Sequence, residues 1–327
     1  MTHENFTSTL LQWYAKNGRD LPWRETKDPY SVWLSEVILQ QTRVDQGIDY
    51  WLRFIEKWPS VDALAAATED EVLKMWQGLG YYSRARNLHT AAKDIVNQGG
   101  FPQSFKELIR LKGVGEYTAA AVGSIAFGLP FAAIDGNVYR VLARHFGLSV
   151  PIDTTTGKKA FRLLADSLLP AKAAGTWNQA MMDFGALQCT PRNPRCMECP
   201  LQESCVSLRE KTVQMLPVKS VKAKRKERWL TYFYIKYGTE VAVHRRGKGD
   251  IWQGLWEPVV EEKAFPRALE QVKHELTHQV IHARIVHQTV KNRPSLPPEY
   301  IWIKEEDLGE LALPRLVEKL LLVHPPL

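Results

Sequence analysis

Two carboxylates and four thiols stand in settings that suit them for chemistry in this 327-residue chain. Glu36 is the single charge in the run Tyr30 to Leu39, which holds seven apolar or aromatic residues. At helical spacing its neighbours are Val32, Trp33, Leu39 and Gln40. A carboxyl packed among them loses hydration, which raises its pKa and keeps it protonated near neutrality. On a narrow solvent-facing stripe with Ser31 and Ser35 it would instead ionise normally, and periodicity leaves both arrangements open. Asp135 follows the apolar run Phe131-Ala-Ala-Ile134 and opens a helix over Gly136 to Arg144. There it accepts backbone N–H groups and feels the positive end of the helix dipole, so its pKa is expected to fall. Plain N-capping accounts for Asp135 equally well. Two carboxyls pushed in opposite directions suit glycosidic bond cleavage: one acid for the leaving group and one anion facing an oxocarbenium-like sugar.

Cys189, Cys196, Cys199 and Cys205 are the chain's four cysteines, gathered within one window with Pro191, Pro194 and Pro200 between them. In a reducing compartment such a window points to one ion or cluster instead of disulfides. Zinc sites usually show two close pairs, whereas only Cys196 and Cys199 form a Cys-x-x-Cys here; the spacing favours iron–sulfur without deciding it. Because the loop is tied within itself and carries Arg192 and Arg195, bracing a basic lobe is its expected role rather than redox work. Upstream, Leu111-Lys-Gly-Val-Gly-Glu-Tyr-Thr-Ala119 ends one helix with Gly113 and opens the next at Gly115. The two glycines allow a tight turn and leave amide N–H groups open to a phosphate at a helix start. This reads as a helix–hairpin–helix, although the hairpin alone is no more than a helix–helix turn.

The elements that hold these residues are mostly helical up to about residue 205. Asp28-Pro29 predicts a helix over about 30–40, Thr68 to Glu71 and Ser104 to Glu107 have capping-box spacing, and Gly99-Gly100 stops a helix that begins near Ser83. Beyond residue 228, Trp229 to Tyr237 and Glu240 to His244 flank Gly238-Thr239 as a hairpin; Gln279 to Val290 is strand-like and Pro314 to Val323 helical. The expected architecture is therefore an all-α body over 1–210, a basic linker over 211–228 and a small α+β domain over 229–327. That agrees with a length of about two domains at ~150 residues each. Hydrophobic residues at 45% and charged residues at 24% are ordinary globular values and exclude a disordered chain. Residues 218–228 carry six of the 43 basic side chains against one acidic, so most of the net +7 sits in a short run. It reads either as a phosphate-contacting linker or as a solvated tether. Apolar stretches such as Ala119 to Val122 are far too short for a membrane span, and the polar start Met1 to Leu10, with Glu4, carries no secretion signal; a cytoplasmic chain is expected.

Taken together, several motifs resemble the MutY family of adenine DNA glycosylases, within the endonuclease III superfamily of helix–hairpin–helix glycosylases. The likeness covers nearly the whole chain. It rests on Leu21-Pro-Trp-Arg24, Trp33 to Thr42, Gly78 to Asn87, the hairpin, Ile134 to Val138, Asn178 to Asp183 and the four cysteines. The resemblance implies a [4Fe-4S] cluster on Cys189, Cys196, Cys199 and Cys205. It also implies that Glu36 protonates adenine at N7 and that Asp135 stabilises the sugar intermediate, with Tyr117 and Asn137 in support. Arg19, Leu21, Trp23, Arg24 and Gln179 would line the pocket for a flipped adenine, flipping being needed because the bond is unreachable in a stacked duplex. Gln41, Thr42, Leu79 and Tyr81 would press into the stack around the damaged guanine. The C-terminal part resembles the family's Nudix-like domain, notably over Asp250 to Glu257, with Leu276, Thr277 and His278 as its 8-oxoguanine loop. Many relatives carry Phe-Ser-His in that loop.

Lyase members of the superfamily carry a lysine where this chain has Tyr117, so base removal without programmed strand cleavage is expected. Some family members have a product-trapping lysine at the position of Tyr139. The C-terminal part lacks an Arg-Glu-x-x-Glu-Glu run to hold Mg²⁺, so pyrophosphatase activity is not expected. A metal on His274, His278, His282 and His287 is not expected either, because a strand and its turn spread these rings over different faces. The expected partner is duplex DNA with adenine opposite 8-oxoguanine or guanine, met by a monomer at the nucleoid. Rival readings are an endonuclease III-type glycosylase with lyase activity, a catalytically silent DNA-binding module, and nucleotide hydrolysis by the C-terminal domain.

Overall fold

The computed structural model describes residues 3–220, 225–266 and 271–323. Two compact units divide the chain: Met1–Ala65 with Thr90–Val221, and Ala66–His89 with Lys222–Leu327. Part of the basic run, residues 221–224, lies outside the described residues.

The helical series runs α1 (His3–Asn17), α2 (Pro29–Leu39), α3 (Val44–Lys57), α4 (Val61–Ala66), α5 (Glu69–Trp76), α6 (Ser83–Asn97), α7 (Phe105–Leu108), α8 (Glu116–Phe127), α9 (Gly136–Phe146), α10 (Thr155–Leu168), α11 (Ala174–Asp183) and α12 (Val206–Arg209). Local signals set many of their ends. Asp28 accepts the Ser31 N–H at 2.8 Å and Pro29 opens α2. Thr68 and Glu71 close a reciprocal capping box on α5, and Gly99 and Gly100, with φ of 86° and 137°, stop α6. The helix before the hairpin ends at Leu108, earlier than the glycines suggest, and residues 109–115 form the turn.

In the first unit, α1, α9, α10 and α11 enclose a core containing Phe6, Leu10, Leu142, Phe161, Trp177 and Met181. Both α2 and α8 are apolar on nearly every face, and a helix of that kind must be covered all round. Gly175 lets α11 lie directly on the α8 backbone, since a Cβ there would stand 2.7 Å from the Ser124 carbonyl oxygen.

The second unit contains a six-stranded mixed sheet in the order β4-β5-β1-β3-β2-β6. Its strands are β1 (Lys226–Tyr237), β2 (Glu240–Arg245), β3 (Trp256–Glu262), β4 (Val272–Glu275), β5 (Gln279–Thr289) and β6 (Tyr300–Lys304), and α13 (Arg315–Val323) covers it through Leu316, Val317 and Leu320. The predicted β1–β2 hairpin pairs only Lys236 with Val241 and Tyr237 with Glu240. Beyond that turn the strands part, and β3 pairs antiparallel with both. His274, His282 and His287 lie against separate rings, Trp252, Trp229 and Tyr234. Among the described residues no helix is long and apolar enough to cross a membrane.

Candidate active site

Burial of α2 answers the question left open for Glu36. Ser35 and Glu36 are both buried, Glu36 at 7% exposure, so the solvent-facing stripe does not exist. Glu36 faces a cavity walled by Arg19, Leu21, Trp23, Arg24, Tyr117, Gln179 and several apolar side chains. Five of the six residues predicted for the adenine pocket and its acid come from before residue 40, and α11 supplies Gln179. Burial pushes the Glu36 carboxyl up to about 7, against the pull of a hydrogen bond from Tyr117, and the negative charge of Asp135 adds to the rise. The Tyr117 hydroxyl also lies 3.1 Å from Met182 Sδ, a weak acceptor beside a carboxylate.

Asp135 caps α9 as predicted, accepting the Val138 N–H at 2.8 Å and an Asn137 amide N–H at 2.7 Å. Its expected pKa depression is overturned. Burial raises the carboxyl, and the capping bonds with the charge of Arg140 only oppose that rise. Both carboxyls are thus pushed the same way. Asp135 and Asn137 are not in the lining of the Glu36 cavity, but Tyr117 feels the charge of both Glu36 and Asp135, which brings the pair to one locality.

Several supporting residues were given no role by the sequence reading. Asp183 is fully buried and accepts from Arg19 N, Nε and Nη2 and from Arg24 Nη1 and Nη2, at 2.5–2.8 Å. Burial alone would raise its pKa, but the bonds from Arg24 and Arg19 hold it below the usual carboxylate range. Gln179 and Asp183 are four apart on α11, one helical face, and that spacing was the available signal. Asn178, also fully buried, bonds Ala133 N, Phe131 O and Ser124 Oγ, fastening the run that delivers Asp135. Arg140 donates to Asn137 Oδ1 at 2.7 Å, Gly185 O at 2.6 Å and Cys189 O at 2.8 Å, tying the start of α9 to the cysteine loop.

The remaining predicted residues fall elsewhere. In the first unit Gln41 has a left-handed backbone (φ 60°) and Thr42 N bonds back to Leu39 O at the end of α2. Gly113 uses its freedom at φ 77°, whereas Gly115 is extended and open, with nothing near an added Cβ. Leu79, Tyr81, Leu276, Thr277 and His278 belong to the second unit. Leu79 is buried; Tyr81, Leu276, Thr277 and His278 line one groove, where Tyr81 Oη meets Thr277 Oγ1 at 2.6 Å. Tyr139 is part of the core beside Phe161.

All four thiols wall a second cavity of the first unit. Four thiols around one cavity are the donor set an iron–sulfur cluster takes. Mutual repulsion supports the fit. Burial first, and then the neighbouring thiols, push Cys199 up to about 12, a conflict that a bound metal would relieve. Buried Arg144 stands beside them, with Nη1 3.5 Å from Cys189 Sγ and further bonds to Thr190 O, Pro191 O and Leu216 O.

Residues 34–166 match the family described as HhH-GPD superfamily base excision DNA repair protein, 189–205 the iron–sulfur binding domain of endonuclease III, and 231–322 the NUDIX domain. The chain is 32% identical to an adenine DNA glycosylase of Buchnera aphidicola subsp. Schizaphis graminum over 98% of its own length and 99% of that protein. It is 43% identical to the Mus musculus adenine DNA glycosylase over 61% of this chain and 41% of that one. Among solved structures, a thermostable thymine-DNA glycosylase superposes at a TM-score of 0.59 with 32% identity, covering 64% of this chain and 97% of the other. An endonuclease III bound to DNA shares the fold at 22% identity and a TM-score of 0.55. A helical base-excision repair body with a [4Fe-4S] cluster on Cys189, Cys196, Cys199 and Cys205, followed by a Nudix domain, is the class these features define. Within that class, the chain belongs to the adenine DNA glycosylase family.

Proposed function

We propose that this protein removes adenine mispaired with 8-oxoguanine, and less well with guanine, by acid-assisted hydrolysis of the N-glycosidic bond in duplex DNA. The observation that carries the reading is the buried carboxyl of Glu36, pushed up to about 7, facing a cavity with Arg24, Tyr117 and Gln179. Protonated Glu36 gives its proton to adenine N7. The glycosidic electron pair then leaves with the base, and the cationic sugar faces the Asp135 carboxylate until water adds at C1′ and gives a proton back to the Glu36 carboxylate. Asn137 keeps Asp135 oriented, and Tyr117 orients Glu36. Asp183 holds Arg19 and Arg24 in the wall that receives the flipped base. Cys189, Cys196, Cys199 and Cys205 would hold the cluster, which would brace the loop that Arg140 joins to Asn137.

Residues 1–210 act as the catalytic domain, 211–228 as the tether and 229–327 as the reader of 8-oxoguanine through Leu276, Thr277 and His278. Gln41, Thr42 and Tyr81 enter the stack around the lesion, and the hairpin glycines Gly113 and Gly115 meet a phosphate. The enzyme works as a monomer at the nucleoid. An excision assay on duplexes pairing adenine with 8-oxoguanine, guanine, cytosine or thymine tests the reading. Release best from the 8-oxoguanine pair, abolished by Glu36→Gln, is expected; equal release from all four pairs overturns it.

A further inference from the structure

We propose that Trp252 is a specificity-determining residue for the base opposite adenine, its indole forming one wall of the groove that receives the oxidised guanine. This rests on the pair-specific reading above. In the second unit Tyr81, Arg86, Asp250, Trp252, Thr277 and His278 line that groove. Tyr81 and Trp252 both hold left-handed backbones, with φ of 48° and 59°. Bulky side chains rarely adopt that conformation, and it persists only where the surroundings enforce it.

The enforcement on Trp252 is a charged scaffold. Asp250 accepts from Arg228 at 2.6 and 2.8 Å and from Arg246 at 2.5 Å, and caps the Ile251 N–H at 2.7 Å. Arg246 also donates to Ile251 O at 3.0 Å and to both oxygens of fully buried Glu257 at 2.6 and 2.8 Å. Leu255 N returns to Trp252 O at 3.0 Å and Gly254 N to Arg246 O at 2.9 Å, so the loop is closed on both sides of the indole. The ring therefore rests partly on the sheet core and stays at the groove.

Chemistry at the groove suits a flat base with a polar edge. An aromatic face accepts any base, and polar groups at its rim discriminate. Guanine has an acceptor at N7; its 8-oxo derivative has an N–H there and an added carbonyl at C8. Thr277 and His278 offer a hydroxyl and an imidazole to that edge only if the plane of the base is fixed against them. Leu276 offers no π face; the groove's aromatic faces include those of Tyr81 and Trp252, and the indole of Trp252, held by the charged scaffold, fixes the plane of the base.

Binding is measured on duplexes with a 2′-fluorinated deoxyadenosine, which resists cleavage, opposite 8-oxoguanine or guanine. For Trp252→Leu the preference for the 8-oxoguanine pair falls about tenfold, and Trp252→Phe restores most of it. An equal loss on both pairs, or no loss, overturns the proposal. Should the leucine variant not fold, hydroxyl-radical footprinting of the wild type decides: stronger protection of Trp252 by the 8-oxoguanine duplex supports the assignment, and equal accessibility free and bound overturns it. A wild type without preference between the pairs removes the underlying reading instead, whatever Trp252 does.

Discussion

On the proposed mechanism the protonated form of Glu36 serves excision and its ionised form costs stability, so both are expected to follow pH. As the acid it must be protonated, so single-turnover excision is expected to fall as pH rises through about 7, a loss absent from background hydrolysis. Glu36→Gln should abolish excision while leaving duplex binding in place. For stability the sign follows from a folded-state pKa raised above the ordinary 4.5. The favourable burial of the neutral carboxyl is present in full below about 4.5 and is lost progressively as pH climbs to about 7. Above that the folded protein carries a buried charge. Glu36→Gln is therefore expected to stabilise the protein by about 2–3 kcal/mol at alkaline pH and hardly at all in acid, as read from denaturant melts. An equal gain at both ends would show that Glu36 is not desolvated.

At the scale of elements, what positions the site is packing between helices far apart in sequence. Gly185 sits so close to α9 that a Cβ would lie 2.6 Å from that of Asn137. Gly185→Ala should displace Asn137 and with it Asp135, lowering single-turnover excision by about a hundredfold with little change in duplex affinity. Unchanged excision would show that α9 tolerates the shift. In the second unit, Glu257 is fully buried between Arg246, His244 and Tyr232. Glu257→Ala leaves Arg246 with Asp250 as its remaining carboxylate and removes the acceptor of His244 and Tyr232, and should cost about 2–3 kcal/mol, measured as a lower midpoint in urea. Helix starts such as Asp28 and Thr68 were legible in the sequence because capping involves neighbours within four residues. The insertion of β3 between β1 and β2 was not, because strand pairing is decided by partners well beyond the reach of a local cap, such as Arg245 with Trp256 and Leu230 with Glu262.

At the largest scale, the cysteine loop is hydrogen-bonded to α9, the helix that Asp135 caps, through Arg140 and Arg144. Cys199→Ser is expected to lower iron content, the visible absorbance of the cluster and thermal stability together; an iron-free protein with unchanged melting would refute the bracing role. Borohydride should trap little covalent product on an abasic duplex, because Tyr117 offers a hydroxyl where an amine would be needed. The sequence alone determined which groups are present and everything decided within a few residues: the thiol window, the helix caps, the apolar chain neighbours of Glu36 though not its burial, and the motifs of the family. Tertiary structure alone decided the sign of the Asp135 shift, the pairing of Arg19 and Arg24 with Asp183, and the company of residues 66–89. The physical reason is that a hydrogen bond at a helix end is local, whereas desolvation is set by whatever distant segments close over the group, and at Asp135 desolvation is the larger effect.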